Sequence, residues 1–464
     1  MANCKFLKQK KQVQINGEWV DTRSYRYLPY CDGKTPHLYV KGGEENNPVE
    51  IHMYNPGQGE IRKTVYLDEN GELYLELKSD NIIYGLSFLN HPEFVEIVGC
   101  YVHSVSDYTP YDTTLSISCS TYSVDRSDVD VKPSGFYYKK LILDSFDISN
   151  VTYGGRMFSS RGLESIEGLQ TIDTSSLESM TYMFYGCLNL TSLDLSNFIT
   201  SKVKDMAYMF ADCKSLNALD LSNFNVSKVV TMFGMFSGCS NLASLDLSRF
   251  ITPNLNTMLH MFDGCTNLKS IDVSNLNTSK VKDMTSVFQN CSSLTSLDLS
   301  SFDTSLVTDM SSMFKGCTSL TSLDLSNFNC KNIKSIDAMF ENCSGLTSLN
   351  LSGFKPNFTD DSNVDTSMAH LFYGCKNLKY LDLSGWHIGL FTYSSSMFCG
   401  CEKLETLNLS NWYWGSYGYP SKDTWSGCRS LKTIYMQNCN EIPIKWVKKG
   451  LEYAGLLDQV TIIT

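Results

Sequence analysis

Residues 183–198 read MFYGCLNLTSLDLSNF, residues 209–224 read MFADCKSLNALDLSNF, and residues 235–250 read MFSGCSNLASLDLSRF. The phenylalanine of the MF pair falls at Phe158, Phe184, Phe210, Phe236, Phe262, Phe288, Phe314 and Phe340, each 26 residues after the last. Phe372, Phe398 and Trp425 follow after steps of 32, 26 and 27. A fixed period of this length is the mark of a solenoid, in which each copy is one coil that buries its apolar face against its neighbours.

Within each copy lies L-x-x-L-x-L, from Leu190, Leu193 and Leu195 to Leu404, Leu407 and Leu409. The spacing predicts a leucine-rich-repeat core, with one short parallel strand per turn and alternate side chains inward. An aromatic follows three residues on, as in Phe198, Phe224, Trp386 and Trp412, with Leu276 once in that place. Then T-S-x-V-x-x-M, as in Thr304 to Met310, carries the chain back to the next MF. Counting back 52 residues from Leu193 lands on Leu141, so LILDSFDISNV (141–151) reads as the first turn. The next is irregular, with Leu163 and Ile166 slipped by one residue, as terminal turns that cover a core tend to be. At the other end Pro443 reads as opening a short amphipathic helix and VTIIT as a last strand. The expected organisation is a β-rich domain over 1–137, a solenoid over 138–440 and a cap over 441–464.

Ten cysteines keep one place per turn: Cys187, Cys213, Cys239, Cys265, Cys291, Cys317, Cys343, Cys375, Cys401 and Cys428. A small, soft residue filling a tight corner explains such a column. Stacked equivalent side chains point the same way, which disfavours disulfides along it. A single file supplies no tetrahedral cluster for zinc. Cys399 reads as an incidental neighbour of Cys401, and Cys330 and Cys439 stand off the column.

In LDLS the aspartate lies between two inward leucines and points outward. This predicts an exposed row of Asp194, Asp220, Asp246, Asp272, Asp298, Asp324 and Asp382, with Asn350 and Asn408 in the same place. Like charges about 5 Å apart repel. Solvent, hydrogen bonds from serine hydroxyls or turn N–H groups, or bound cations would relieve them. A flat face of small residues is also a recognition surface suited to a repetitive partner.

The template breaks twice. A six-residue insertion in 354–372 adds Asp360, Asp361 and Asp365, which read as a solvated loop or a weak ligand loop. The stretch NWYWGSYGYPSKDTW (411–425) places Trp412 and Trp425 in core positions and Tyr417 in the valine place, but gives Tyr413, Trp414 and Tyr419 no template slot. Exposed aromatics in a Gly/Ser/Pro loop stack on sugars or anchor protein partners, or else cover the end of a coil.

Before the repeats, KTVYLDENGELYLELKS alternates around Asn70-Gly71 as a hairpin would, and FVEIVGCYVHSVS and TTLSISCSTYSV read as strands. The first thirty residues are basic and aromatic, with Trp19, Tyr25, Tyr27 and Tyr30, which suits a docking arm or a surface strand. The whole chain of 464 residues carries a net charge of −11, which argues against non-specific nucleic-acid binding. No signal-peptide-like apolar run follows the start, and no run of apolar residues is long enough to span a membrane.

No catalytic constellation stands out. Gly33-Lys34-Thr35 lacks the rest of a P-loop, the seven histidines are scattered, and there is no G-x-S-x-G elbow. A glycosidase carboxylate pair among the aspartates would need a cleft that repeats seldom build. No catalytic residue, metal site or cofactor is expected.

The unit MFxGCxxLTSLDLSNFxTSxVxDM resembles the BspA-like class of leucine-rich repeats, found in surface lipoproteins and adhesins of mycoplasmas and of Gram-positive and gut bacteria, and in some protists. The resemblance covers residues 138–440 and implies binding or adhesion, without enzymatic activity. Residues 1–13, MANCKFLKQKKQV, with the turn and tryptophan after them, are similar to an N-terminal segment of structural proteins of phages infecting Bacteroidales. This implies a virion protein made in the host cytoplasm, tail- or head-associated, docked to other virion proteins through its N-terminal region. Its solenoid would meet a host cell-surface protein or glycan, with neither nucleic acid nor membrane insertion involved and oligomerisation left open. The alternatives are a BspA-like surface or secreted adhesin or effector of a bacterium and, third, a surface-polysaccharide hydrolase.

Overall fold

The computed structural model describes residues 12–15, 18–21, 37–41, 48–55, 59–76, 82–88, 94–98, 101–102, 113–118, 138–144, 148–149, 151–358, 366–388, 392–414 and 420–464. They fall into two units, Met1–Val226 and Ser227–Thr464.

The strands of the first unit are, in chain order, β1 (Gln12–Ile15), β2 (Glu18–Asp21), β3 (His37–Lys41), β4 (Pro48–Asn55), β5 (Gly59–Tyr66), β6 (Glu72–Glu76), β7 (Ile82–Phe88), β8 (Phe94–Val98), β9 (Tyr101–Val102), β10 (Thr113–Ser118), β11 (Tyr138–Asp144) and β12 (Ser165–Glu167). β1 and β2 form an antiparallel pair. One sheet runs β5-β4-β7-β9 and another runs β12-β11-β10-β8-β3-β6. In the second, β8, β10, β11 and β12 are parallel, with Val95, Leu115, Leu141 and Ile166 in register. The parallel ladder that holds the first repeat turn therefore begins at Phe94. Antiparallel β3 and β6 close its outer side, with Leu38 and Val40 buried like Leu141 and Leu143.

The segment around Asn70-Gly71 is a tight turn, but it does not make the expected hairpin. Asp68 holds it through its carboxylate, which accepts the N–H groups of Asn70 and Glu72 at 2.8 and 2.9 Å. The flanking strands then part: β5 pairs with β4, and β6 pairs with β3. Alternation showed that both segments are strands, but partners elsewhere in the chain, β4 and β3, take the place of local pairing.

The slip at Ile166 is real, since Ile166 and not Glu167 pairs with Leu141. Gly168 follows at φ 83°, where an added Cβ would strike the Leu143 carbonyl oxygen, and Leu169 is buried again directly after it. A side chain here would force two turns apart.

Within each unit, successive repeat turns are joined at the MF corner. In the first unit the N–H groups of Tyr182, Phe184 and Gly186 donate to the carbonyls of Ala207, Met209 and Ala211 at 2.9, 2.9 and 2.8 Å. In the second unit His260, Phe262 and Gly264 do the same to Thr285, Val287 and Gln289 at 3.1, 2.9 and 2.8 Å. Alternate N–H groups all face the next turn because the residues two before and two after the phenylalanine take left-handed φ. After the phenylalanine the residue is Gly, Asp212, Asn290 or Asn342, the types that tolerate this conformation, which explains the G of MFxGC. Before it stand Tyr182, Tyr208, His260, Ser286, Ser312, Ala338 and others, each at a cost of about 1 kcal/mol that the corner's hydrogen bonds offset.

The phenylalanines stack behind this corner: Phe184 on Phe210 at 5.6 Å in the first unit, and Phe236 on Phe262 at 5.7 Å and Phe340 on Phe372 at 5.5 Å in the second. The cysteine's role is more definite than filling a corner. The Cys213 thiol donates to the Phe184 carbonyl at 3.2 Å in the first unit. In the second, Cys265, Cys291, Cys317, Cys343, Cys375, Cys401 and Cys428 each reach the phenylalanine carbonyl of the preceding turn at 3.1–3.2 Å. All are buried and none is in a disulfide. Burial raises the Cys317 and Cys428 thiols to about 12.

A second clip went unnoticed in the sequence. The threonine of T-S-x-V is buried, and its hydroxyl both donates to and accepts from the backbone 25 residues on. Thr200 pairs with Asn225 at 3.0 and 2.7 Å, and Thr278 with Asp303 at 2.9 and 2.8 Å. Cys330, off the cysteine column, stands in this threonine place and is buried there.

Regular L-x-L strands are fewer than one per turn. The second unit has β13 (Ser322–Asp324), β14 (Ser348–Asn350), β15 (Thr366–Ser367), β16 (Tyr380–Asp382), β17 (His387–Ile388), β18 (Thr392–Tyr393), β19 (Thr406–Asn408), β20 (Tyr413–Trp414) and β21 (Thr433–Tyr435), then α1 (Glu441–Ala454) and β22 (Thr461–Ile463). In earlier turns the leucines point the same way, but the ladder is reduced to single bonds such as Thr295 N–H to the Lys269 carbonyl at 3.2 Å. The strands end at the aspartate in the middle of L-x-L, as in Ser322–Asp324, where its carboxylate turns the chain by accepting the N–H of the serine two residues on, leaving three residues to pair. β16, β19, β21 and β22 form one parallel sheet, and Pro443 sits within the first turn of α1, which buries Trp446, Val447 and Leu451.

Thr278→Val keeps the shape but strands the Asp303 N–H and carbonyl, so chemical denaturation will show a loss of about 2 kcal/mol. In the folded chain at about pH 8, Cys317 and Cys428 will resist iodoacetamide and be labelled only at the rate of unfolding, as peptide mass spectrometry will report.

Candidate functional site

One residue follows the core aromatic of L-S-N-F, and in several turns it is exposed: Ile251 after Phe250 (65%), and Asn329 after Phe328. Tyr413, expected to lack a template slot, occupies this one, since it follows Trp412 as Ile251 follows Phe250. His387 follows Trp386 in the same way. β17 and β20 pair in parallel with His387 opposite Tyr413, and the two rings stack at 4.8 Å and 14°. Tyr413 is 50% exposed and His387 half-buried.

Beneath the exposed pair lies a buried one. Trp386 and Trp412 stack at 6.5 Å, and the Trp412 indole N–H donates to the Leu383 carbonyl at 2.6 Å. The start of the insertion borders the pair: His387 N–H donates to the Pro356 carbonyl at 3.2 Å, and Phe358 N–H donates to the His387 carbonyl at 3.1 Å. Lys355 reaches the Ser384 carbonyl at 3.2 Å. Rigid indoles thus hold a flat imidazole–phenol step at the surface, flanked by a lysine. Such a step can stack on an apolar ring face and donate or accept hydrogen bonds at its edges.

Trp414 lies in β20 opposite Ile388. The side chain of Trp414, together with Tyr417, Tyr419, Asp360, Asp361 and Asp365, lies outside the described residues. Trp425 is buried as expected and stacks on Phe398 at 4.7 Å. Sequence reasoning passed over His387 as one scattered histidine. Its place directly after a core tryptophan, one turn before Tyr413, was the available signal.

The aspartate row is exposed at Asp194, Asp220, Asp246, Asp272, Asp298 and Asp324. Asp382 departs from it: it is half-buried, and the exposed Tyr380 donates to it at 3.3 Å. Each carboxylate accepts the N–H of the serine two residues on, at 2.8–3.0 Å, as in Asp246 with Ser248 and Asp272 with Ser274. The serine hydroxyl leads and its N–H follows in holding Asp194, Asp272 and Asp324 below the ordinary 3.8, while the order is reversed at Asp246 and Asp298. At Asp272 the charges of Asp246 and Asp298 push the other way and lose. At Asp382 burial pushes the carboxyl up, but hydrogen bonds from Ser384, Asn408 and Tyr380 outweigh it. The row is therefore chiefly a set of turn caps. Asn350 and Asn408 make the same bond at 3.1 and 3.0 Å.

Among the described residues no group of three or more His, Cys, Asp or Glu is placed to hold a metal ion. His260 meets Asp263 at 3.2 Å, and His370 meets the Tyr373 ring edge-on.

Because these carboxyls titrate lower in the folded chain than in the unfolded one, they stabilise it above the ordinary value, and that contribution fades as pH falls through the folded value. Asp272→Asn keeps the cap and removes the charge. Thermal melts will show a small loss of stability near neutrality that closes below about pH 4, so the variant falls less steeply with acid than the parent chain.

Residues 152–271 and 256–355 match the family described as "Mycoplasma protein of unknown function, DUF285", and residues 356–446 match the "BspA type Leucine rich repeat region (6 copies)". No curated protein matches the chain. Among solved structures, a leucine-rich-repeat protein of Leptospira interrogans is 14% identical with a TM-score of 0.23, covering 71% of this chain and 90% of its own. The Toll–Spatzle complex of Drosophila is 16% identical with a TM-score of 0.25, covering 75% and 47%. The plant peptide hormone receptor RGFR1 in complex with RGF2 is 13% identical with a TM-score of 0.21, covering 79% and 69%. The 26-residue period, the inward L-x-L leucines, the parallel ladder and the family match agree: the repeats of this chain are BspA-type leucine-rich repeats.

Proposed function

We propose that this chain is a non-enzymatic binding protein that attaches to a cell-surface protein or glycan through the broken repeats of its second unit. The observation that carries this reading is the His387–Tyr413 stack, with Tyr413 exposed, braced by the buried Trp386–Trp412 pair. Template positions are occupied by bonds between turns, whereas this step faces solvent and is rigid. Rigid, exposed aromatics contribute binding at low entropic cost.

The N-terminal likeness to structural proteins of phages infecting Bacteroidales favours a virion protein, docked through its N-terminal region and presenting the repeats to the host. The BspA-type match also supports a bacterial adhesin using the same face. Immunogold labelling separates them: label on purified virions supports the first, and label confined to bacterial envelopes supports the second.

The full chain will bind surface material of gut Bacteroidales saturably in pull-down and glycan-array formats. Tyr413→Ala will weaken that binding at least about tenfold, with the melting temperature unchanged. Binding that survives this substitution moves recognition away from the step, and an absence of binding to any surface fraction removes the attachment reading.

A further inference from the structure

The first unit holds a second aromatic cluster, at the corner two residues before the MF phenylalanine. Arg156 occupies that place in one turn, Tyr182 in the next and Tyr208 in the one after. The Arg156 guanidinium lies 4.8 Å over the Tyr182 ring and 5.9 Å from the Tyr185 ring centre. Tyr182 stacks on Tyr208 at 4.8 Å and 11°, and Tyr185 meets Tyr182 edge-on at 5.3 Å. Arg156 is exposed and the three tyrosines are half-buried.

Two features set this cluster apart from a simple surface contact. Acidic residues outnumber basic ones 49 to 38 in the chain, yet Arg156 makes no ion pair among the described residues. The hydroxyls of Tyr182 and Tyr185 make no hydrogen bond there either. Contact with the ring restrains the guanidinium, and its planar fork matches the two oxygens of an acid group. Two phenol hydroxyls beside it offer donors and acceptors to other hydroxyls, and their ring edges offer apolar contact.

We propose that Arg156, Tyr182 and Tyr185 form a binding site for an acidic sugar residue of a polysaccharide. The guanidinium takes the carboxylate or sulfate, and the tyrosines take the sugar's hydroxyls. A carbohydrate fits better than an acidic peptide because the unpartnered groups around the cation are hydroxyls. The site lies in the other unit from the His387–Tyr413 step and stands or falls separately from it.

The test is calorimetric titration of the full chain with three probes: oligogalacturonate, sulfated dextran oligomers and neutral dextran oligomers. At least one acidic probe will bind saturably and the neutral one will not, and the better acidic probe identifies the acid group. Arg156→Ala will weaken that binding about tenfold or more. Arg156→Lys, which keeps the charge but not the planar fork, will recover part of it, and Lys202→Ala, which removes an exposed cation outside the cluster, will leave it unchanged. A thermal melt of each variant confirms folding. The proposal is overturned if neither acidic sugar binds, if Arg156→Ala binds as the wild type does, or if polyglutamate binds as tightly as the sugar probes.

Discussion

The fold depends on hydrogen bonds that leave one turn and end in the next. A three-residue strand is too short to hold a coil, and in many turns even that strand is incomplete. What holds them is a set of polar groups, buried or at the corner, that reach 25 to 29 residues along the chain: the N–H trio at the MF corner, the cysteine thiol and the threonine hydroxyl. Each lies in a dry interior where an unmet partner is costly, so each residue type is fixed by the geometry of its neighbour. The leucines and phenylalanines supply the burial that makes those bonds dry.

This division explains which parts of the fold the sequence could convey. The period, the inward leucines, the cap helix and the last strand follow from apolar spacing, and apolar spacing is visible in a single line of text. The bonds that close the turns were less legible. Nothing in the letters distinguishes a cysteine that fills a corner from one that donates to Phe288, or a threonine in a return loop from one clasping Asp303. The partner lies a full turn away, and only the stacked coil brings it close. The same limit applied before the repeats, where Asn70-Gly71 signalled a turn correctly while the partners of β5 and β6 depended on β4 and β3.

The candidate site was legible in outline. Tyr413 was recognisable as an aromatic in a loop that breaks the template, but its neighbour His387 is 26 residues earlier and in an ordinary-looking stretch. Adjacent turns are the local neighbourhood of a solenoid, so a site is composed of residues one period apart. Arg156, Tyr182 and Tyr208 follow the same rule.

From this follows where recognition can reside in such a molecule. The template cysteine, threonine and left-handed corner are tied to adjacent turns, and the LDLS aspartate is tied to the serine of its own turn. Changing any of them breaks a bond before it alters a surface. The position after the core aromatic and the position two before the MF phenylalanine vary in residue type from turn to turn: Ile251, Asn329, His387 and Tyr413 share the first, and Arg156, Tyr182 and His260 the second. The side chains of Asn329 and His260 bond within their own turn, Asn329 accepting the Lys331 N–H and His260 meeting Asp263. Their backbones are held as rigidly as the rest while their side chains are free to differ. A repetitive scaffold therefore presents its specific chemistry where the repeat permits variation, and both clusters of stacked surface rings are built on those two positions.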